Sequence, residues 1–273
     1  MSTPTVPADP IKAKHRAMWA FGDYDRVATD LVTQLGRRLV DAAAITAGER
    51  VLDVAAGSGN ASLPAAERRA VVTASDLTPE LIEIGRQRAA SQGLAITWQE
   101  ADAEHLPFAD NSYDVAMSCV GIMFAPFHQP VADELARVIA PGGRVALINW
   151  TPSGFIGQLF AAMKPFVPAP PPGATPPPKW GEEQYVRDLF GDRVTDVRAE
   201  VEDLAVDRFA SGEQFRHYFA DFYGPTIAAY RNVADDPGRT AELDAVIDGL
   251  ADEWGAGTGH MKWQYLVFTA RIV

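Results

Sequence analysis

The chain has 273 residues, 47% of them hydrophobic and 22% charged, which is enough for one sizeable core or one core with a subdomain. It holds no apolar run of the roughly 18 residues that a membrane crossing needs. Its 36 acidic and 24 basic residues give a net charge of −12, with no basic cluster longer than Arg37-Arg38 or Arg68-Arg69, so no nucleic-acid partner is expected.

The single cysteine, Cys119, excludes an internal disulfide, and the lack of Cys or His pairs at ligand spacing argues against a metal site. The opening MSTPTVPADP carries no basic start followed by an apolar stretch, so a cytoplasmic protein is expected.

Taken in order, residues 1–10 read as disordered, and 11–21 as a short helix carrying His15, Met18, Trp19 and Phe21. Gly22 stops that helix and Asp23 can cap a second one. The second helix is expected to run to about Ala44, because Val27, Leu31, Leu35 and Leu39 recur every four residues. Trp19 and Tyr24 sit at the joint, either packed in a core or set over a ligand.

The segment 51–60, VLDVAAGSGN, is an apolar run ending in an acid and then in two glycines one residue apart. It reads as a buried strand running into a turn without bulky side chains, where a ligand can approach the backbone. Residues 70–75 form a second strand ending at Asp76, 19 residues after Gly57. An acid so placed can accept hydrogen bonds from both hydroxyls of an adenosine ribose.

Thr78-Pro79-Glu80 opens a helix that Gly93 closes. Residues 96–99 are a third strand followed by Asp102 and the apolar Leu106, Pro107 and Phe108, a carboxylate and hydrophobic group suited to an adenine edge or simply to a loop. A strand over 113–119, a helix over 131–139 stopped by Pro141-Gly142-Gly143, and a strand over 144–150 complete five alternations, which indicates a doubly wound parallel sheet.

Residues 155–164 suit a helix, and 165–178 contain eight prolines, too many for helix or central strand, so a surface belt or flap is expected. A helix over 182–190, a strand within 194–209, helical stretches over 212–232 and 239–254 and a closing strand over 262–273 follow.

Four segments together resemble the class I S-adenosylmethionine-dependent methyltransferases, in the branch similar to quinone-biosynthesis enzymes. They are VLDVAAGSGN, SDLTPELIEIGRQRA, EADAEHLPFADNSYDVAMS and ELARVIAPGGRVALINW, within residues 50–150. The resemblance implies an α/β, Rossmann-like sheet of seven strands, mostly parallel with an antiparallel last strand, plus helical cap elements. It implies S-adenosyl-L-methionine as cofactor and a methyl group passed to a small organic molecule by direct displacement.

Residue by residue, the resemblance sets Asp53, Ala55 and Gly57 beside the methionine part of the cofactor. It sets Asp76 and Leu77 at the ribose and adenine, Asp102 and Ala103 at the adenine edge, and Ser118 toward the methionine or the transferring methyl. Trp19 and Tyr24 join this set from the N-terminal helices of 1–45, over a cofactor core of 50–150. Ala55 stands where many relatives have glycine, and Ser62 where a dinucleotide fingerprint wants its third glycine, which counts against a nicotinamide-dependent oxidoreductase. A non-catalytic S-adenosylmethionine-binding protein is the other alternative.

In the quinone enzymes the last two strands are joined by a short hairpin, whereas here about 50 residues intervene, rich in Phe and Tyr. This insert, 209–260, is either a substrate cap or a packed helical pair within a single domain. His128, in GIMFAPFHQP, follows the fourth strand at the ligand side of the sheet, where an imidazole of pKa about 6.5 could take the acceptor's proton. The bland reading is a helix-entry histidine bonded nearby; His217 and His260 are rivals. A homodimer is left open.

Overall fold

A computed structural model describes residues 9–273; the expectation of disorder over 1–10 falls almost wholly outside them. Seven strands form one sheet in the order β3-β2-β1-β4-β5-β7-β6. They are β1 (Arg50–Val54), β2 (Val71–Asp76), β3 (Ile96–Glu100), β4 (Tyr113–Cys119), β5 (Ile139–Trp150), β6 (Val194–Val206) and β7 (Met261–Ile272). Strands β1 to β5 run parallel, and β7 lies antiparallel between β5 and β6, as the resemblance implies. Because the chain moves from β1 outward to β3 and then returns to the other side at β4, the carboxyl ends of β1 and β4 diverge into a crevice.

The central strands are buried on both faces, which is why Val51, Leu52, Val115, Ala116, Val145 and Ala146 read as continuous apolar runs instead of alternating. Residues 10–42 form α1 (Pro10–Trp19), α2 (Tyr24–Val27) and α3 (Thr33–Ala42), each shorter than the sequence pattern alone allows. Asp9 caps α1 through the Ile11 amide and Asp23 caps α2 through the Arg26 amide. The second helix is not continuous: a π-helical turn, Ala28–Val32, separates α2 from α3. Thr33 Oγ1 donates back to the carbonyls of Ala28 and Thr29, and Asn60 donates to the Val32 carbonyl, so side chains absorb the groups that the wider turn releases.

A helix not anticipated from the sequence, α4 (Ser62–Glu67), follows the binding turn, and α5 (Pro79–Ser91) covers β2 and β3 as expected. Beyond β4 come α6 (His128–Val138), α7 (Phe155–Met163) and α8 (Glu183–Phe190). The proline-rich stretch runs between α7 and α8, pinned at its ends by the buried rings of Phe166 and Trp180. Between β6 and β7 lie three helices, not two: α9 (Gly212–Phe222), α10 (Gly224–Val233) and α11 (Pro237–Glu253). The break at Tyr223-Gly224 turns the chain so that α10 reaches α1, with no room for a side chain at 224, where a Cβ would lie 2.4 Å from the Met18 carbonyl oxygen.

Candidate active site

The turn after β1 is built by backbone conformations that side chains resist. Ala55, Gly57 and Gly59 have φ of 55°, 56° and 93°. At Gly57 a Cβ would meet only the Tyr24 ring, 3.5 Å away, so this backbone faces a space roofed by Tyr24. The turn is held by Ala56 N donating to the Ser75 carbonyl at 2.9 Å and Gly57 N to Asp76 Oδ2 at 2.8 Å. Asp76 Oδ1 accepts from Thr78 N at 2.8 Å. Burial nonetheless pushes the Asp76 carboxyl above its ordinary pKa, since those amides offset the desolvation only in part.

Beneath the turn, Asp53 Oδ2 accepts from Ser62 Oγ at 2.5 Å while its Oδ1 is buried without a partner. Burial raises the pKa of this carboxyl from 3.8 to about 7. At the other end of the crevice, Asp102 Oδ1 accepts from Lys12 Nζ at 2.9 Å and from Glu104 N at 3.0 Å, and the same ammonium reaches Glu104 at 2.7 Å. Asp102, Glu104 and His105 bring three ligand atoms within 4.8 Å of one another, with Lys12 already bonded to the first two residues.

Lys12, His15 and Trp19 fall on one face of α1 and span about 10 Å of helix, so α1 lies lengthwise over the crevice. His15 sits between them beside the Phe124 carbonyl, and burial, then Lys12, lower its pKa. The Trp19 ring packs edge-on against Tyr24 and Phe124, with centroids 5.3 and 4.6 Å away.

The result is a cleft open to solvent on one side. Trp19, Tyr24, Ala55, Gly57, Asp76, Leu77, Asp102 and Ala103, all singled out in the sequence, line it together. Three others do not. Asp53 lies under the turn. Ser118 is wholly buried, donating to the Val54 carbonyl at 2.7 Å and accepting from Ile122 N at 3.1 Å, so its hydroxyl ties the end of β4 to that of β1 instead of facing the cleft.

His128 departs furthest from expectation. Its ring is 2% exposed, 3.0 Å from the Tyr185 hydroxyl through Nδ1 and beside Trp180, and it borders a separate shallow hollow with Tyr185 and Leu189. The first turn of α6 aims it at α8, away from the cleft, and burial lowers its pKa to about 4. His217 and His260 are exposed. Lys12, His15 and Phe124 line the cleft without having been singled out for it; the i, i+3, i+7 spacing of Lys12, His15 and Trp19 was the available signal.

A parallel sheet whose crevice combines a glycine turn, an acid ending the second strand and an acid after the third defines an adenosyl-nucleoside-binding α/β protein. The model of a methyltransferase domain matches residues 52–147. An uncharacterized protein of Mycobacterium tuberculosis is 50% identical over 98% of both chains. A demethylmenaquinone methyltransferase of Thermus thermophilus is 37% identical over 45% of this chain and 58% of its own. The structure of geranyl diphosphate methyltransferase in complex with S-adenosylmethionine shares the fold at a TM-score of 0.54, with 17% identity over 88% of this chain and 85% of that one. Residues 52–147 are a methyltransferase domain, of the S-adenosylmethionine-dependent class I kind, and are similar to the demethylmenaquinone methyltransferases of quinone biosynthesis.

Proposed function

We propose that this enzyme passes the methyl group to a small organic molecule by direct displacement, and that the cleft under α1 is where it does so. The carrying observation is Gly57, whose left-handed backbone opens on free space beneath Tyr24 while its amide is tied to the Asp76 carboxylate. A Cβ there would intrude on the space a bound methionine segment needs, so the residues present fit the cofactor.

In this reading Ala55 and Gly57 hold the methionine portion, Asp76 and Leu77 the ribose, and Asp102 and Ala103 the adenine edge. Asp53 acts from beneath, supporting the turn through the Ser62 hydroxyl that its Oδ2 accepts. Bound there, S-adenosylmethionine supplies an electrophilic methyl. The chain's own contribution is to align the acceptor about 3 Å away and to exclude water through the Trp19, Tyr24 and Phe124 wall. A net charge of −12 supports a small-molecule acceptor over nucleic acid.

Calorimetry with S-adenosylhomocysteine and, separately, NADH tests this reading. Binding of the first and silence from the second is expected. The reverse result would return the chain to nicotinamide chemistry.

A further inference from the structure

Most of the titratable side chains that line the cleft are already committed. Both Asp76 oxygens accept backbone amides, and Asp102 Oδ1 accepts from Lys12. Lys12 in turn is bound to Asp102 and Glu104. Burial pushes the Tyr24 phenol above its ordinary pKa, so that hydroxyl keeps its proton. Among the described residues of the wall, His15 is the titratable group that remains.

Two observations fix where that imidazole stands and which nitrogen is free. The Phe124 carbonyl, at the end of the short turn Ile122–Phe124 after β4, is its backbone hydrogen-bond partner. A carbonyl only accepts, so the ring nitrogen that meets it bears the hydrogen, and in the neutral ring the other nitrogen keeps its lone pair. Neither nitrogen is sealed without a partner, in contrast to Nε2 of His128. Along α1, His15 comes three residues after Lys12, which stands at Asp102, and four before Trp19, which packs on Tyr24 above Gly57. About 4.5 Å of helix rise separates it from the first and about 6 Å from the second. In the reading above, the adenine lies at the Asp102 end and the methionine chain at Gly57. The cofactor's sulfur joins those two parts, so its methyl belongs in the middle of the cleft, where His15 is.

We propose that His15 is the proton acceptor of the reaction: from α1 it faces the transferring methyl, and its free nitrogen takes the hydrogen that the methyl acceptor gives up. The proposal rests on the methyltransferase reading and adds a named base to it. In the step, an electron pair of the acceptor forms the bond to the methyl carbon, and the carbon–sulfur bond breaks with its pair going to sulfur. The acceptor's proton moves to the imidazole, which releases it to solvent on the open side of the cleft. S-adenosylhomocysteine, the methylated acceptor and one proton result. The ring suits this task at neutral pH, because burial, then the Lys12 charge, hold its pKa below the usual 6.5 and leave it neutral. Asp102, from the loop after β3, the Phe124 carbonyl and Asp9, at the start of α1, act on it in the opposite direction.

The test needs no methyl acceptor. S-adenosylmethionine and S-adenosylhomocysteine differ in the methyl and in the sulfonium charge, so the pH dependence of their affinity ratio reads that charge. A protonated His15 facing the sulfonium repels it. In calorimetric titrations from about pH 7.5 down to about pH 5, S-adenosylmethionine should lose affinity relative to S-adenosylhomocysteine by about threefold or more as His15 charges. His15→Asn and His15→Gln should each flatten the ratio. Asp53, with a pKa of about 7, and Asp76, raised by burial, lie at the same cleft, so the variants and not the slope alone identify the group. A ratio that does not change with pH in the unsubstituted protein, or a slope that survives in both variants, would overturn the proposal. Loss of S-adenosylhomocysteine binding in both variants would overturn it too, since the ring would then serve to hold the cofactor. Failure of the unsubstituted protein to bind S-adenosylhomocysteine would instead remove the methyltransferase reading, and this proposal with it.

Discussion

Each oxygen of Asp76 already accepts one backbone N–H, and each has a second lone pair for a ligand hydroxyl. Replacing it therefore removes the proposed ribose acceptor and also the partner that holds the Gly57 amide. Asp76→Ala should weaken S-adenosylhomocysteine binding by about 2 to 3 kcal/mol, read by calorimetry; unchanged affinity would place the ribose elsewhere. Gly57→Val tests the turn itself. A branched residue at φ 56° carries strain of about 1 to 2 kcal/mol and puts methyls into the space under Tyr24, so binding should vanish while circular dichroism still reports a folded chain. Asp53 and Ser62 show why the turn tolerates a serine where a dinucleotide fingerprint has glycine: the Ser62 hydroxyl is used downward, on the carboxylate, and does not face the cleft.

At the scale of elements, the binding turn is shaped by α3 as much as by β1. Gly36 of α3 lies so close to the turn that a Cβ would stand 1.9 Å from the Asn60 carbonyl oxygen, and Asn60 in turn supplies the bond that supports the π-helical turn. Gly36→Ala should thus cost both stability, about 1 to 3 kcal/mol by urea unfolding, and S-adenosylhomocysteine affinity. Gly212→Ala, which would crowd the Asp248 carbonyl of α11 at 2.1 Å on the far side of the insert, should cost stability alone. If both substitutions leave affinity intact, α3 does not shape the turn.

The contrast also explains what could be read in advance. The strands β1, β2 and β4, the turn and the acids at 76 and 102 were legible because each is a local pattern of a few residues. The π-helical turn was not, since its support comes from Asn60, 28 residues after Val32. Nor was the role of α1, whose Lys12 finds its partner 90 residues away. His128 was misjudged for the same reason: the strand end brings its backbone to the ligand edge, but Tyr185, 57 residues later, takes its ring.

For the molecule as a whole, two buried groups far apart in the sequence set opposing slopes of stability with pH. Asp53 is raised from 3.8 to about 7 in the folded state, so its contribution is full below the unfolded value and is lost as pH climbs from 3.8 to 7. His128 is lowered from 6.5 to about 4, so its contribution is full above 6.5 and is lost as pH falls toward 4. The windows overlap, each slope is at most about 1.4 kcal/mol per pH unit, and the two largely cancel in the unsubstituted protein. Asp53→Asn keeps an acceptor for Ser62 while removing the titration, so its stability relative to the unsubstituted protein should rise with pH across this range by roughly 3 kcal/mol. His128→Gln should do the opposite, losing stability relative to the unsubstituted protein as pH rises, whatever constant offset follows from the lost Tyr185 bond. Urea unfolding at several pH values between about 4.5 and 6.5 separates the two, because only differences in slope matter. Parallel profiles for Asp53→Asn and the unsubstituted protein would mean that this carboxyl is ionised beneath the turn throughout. A cationic partner for Oδ1 in the absence of ligand would then be required to hold it so.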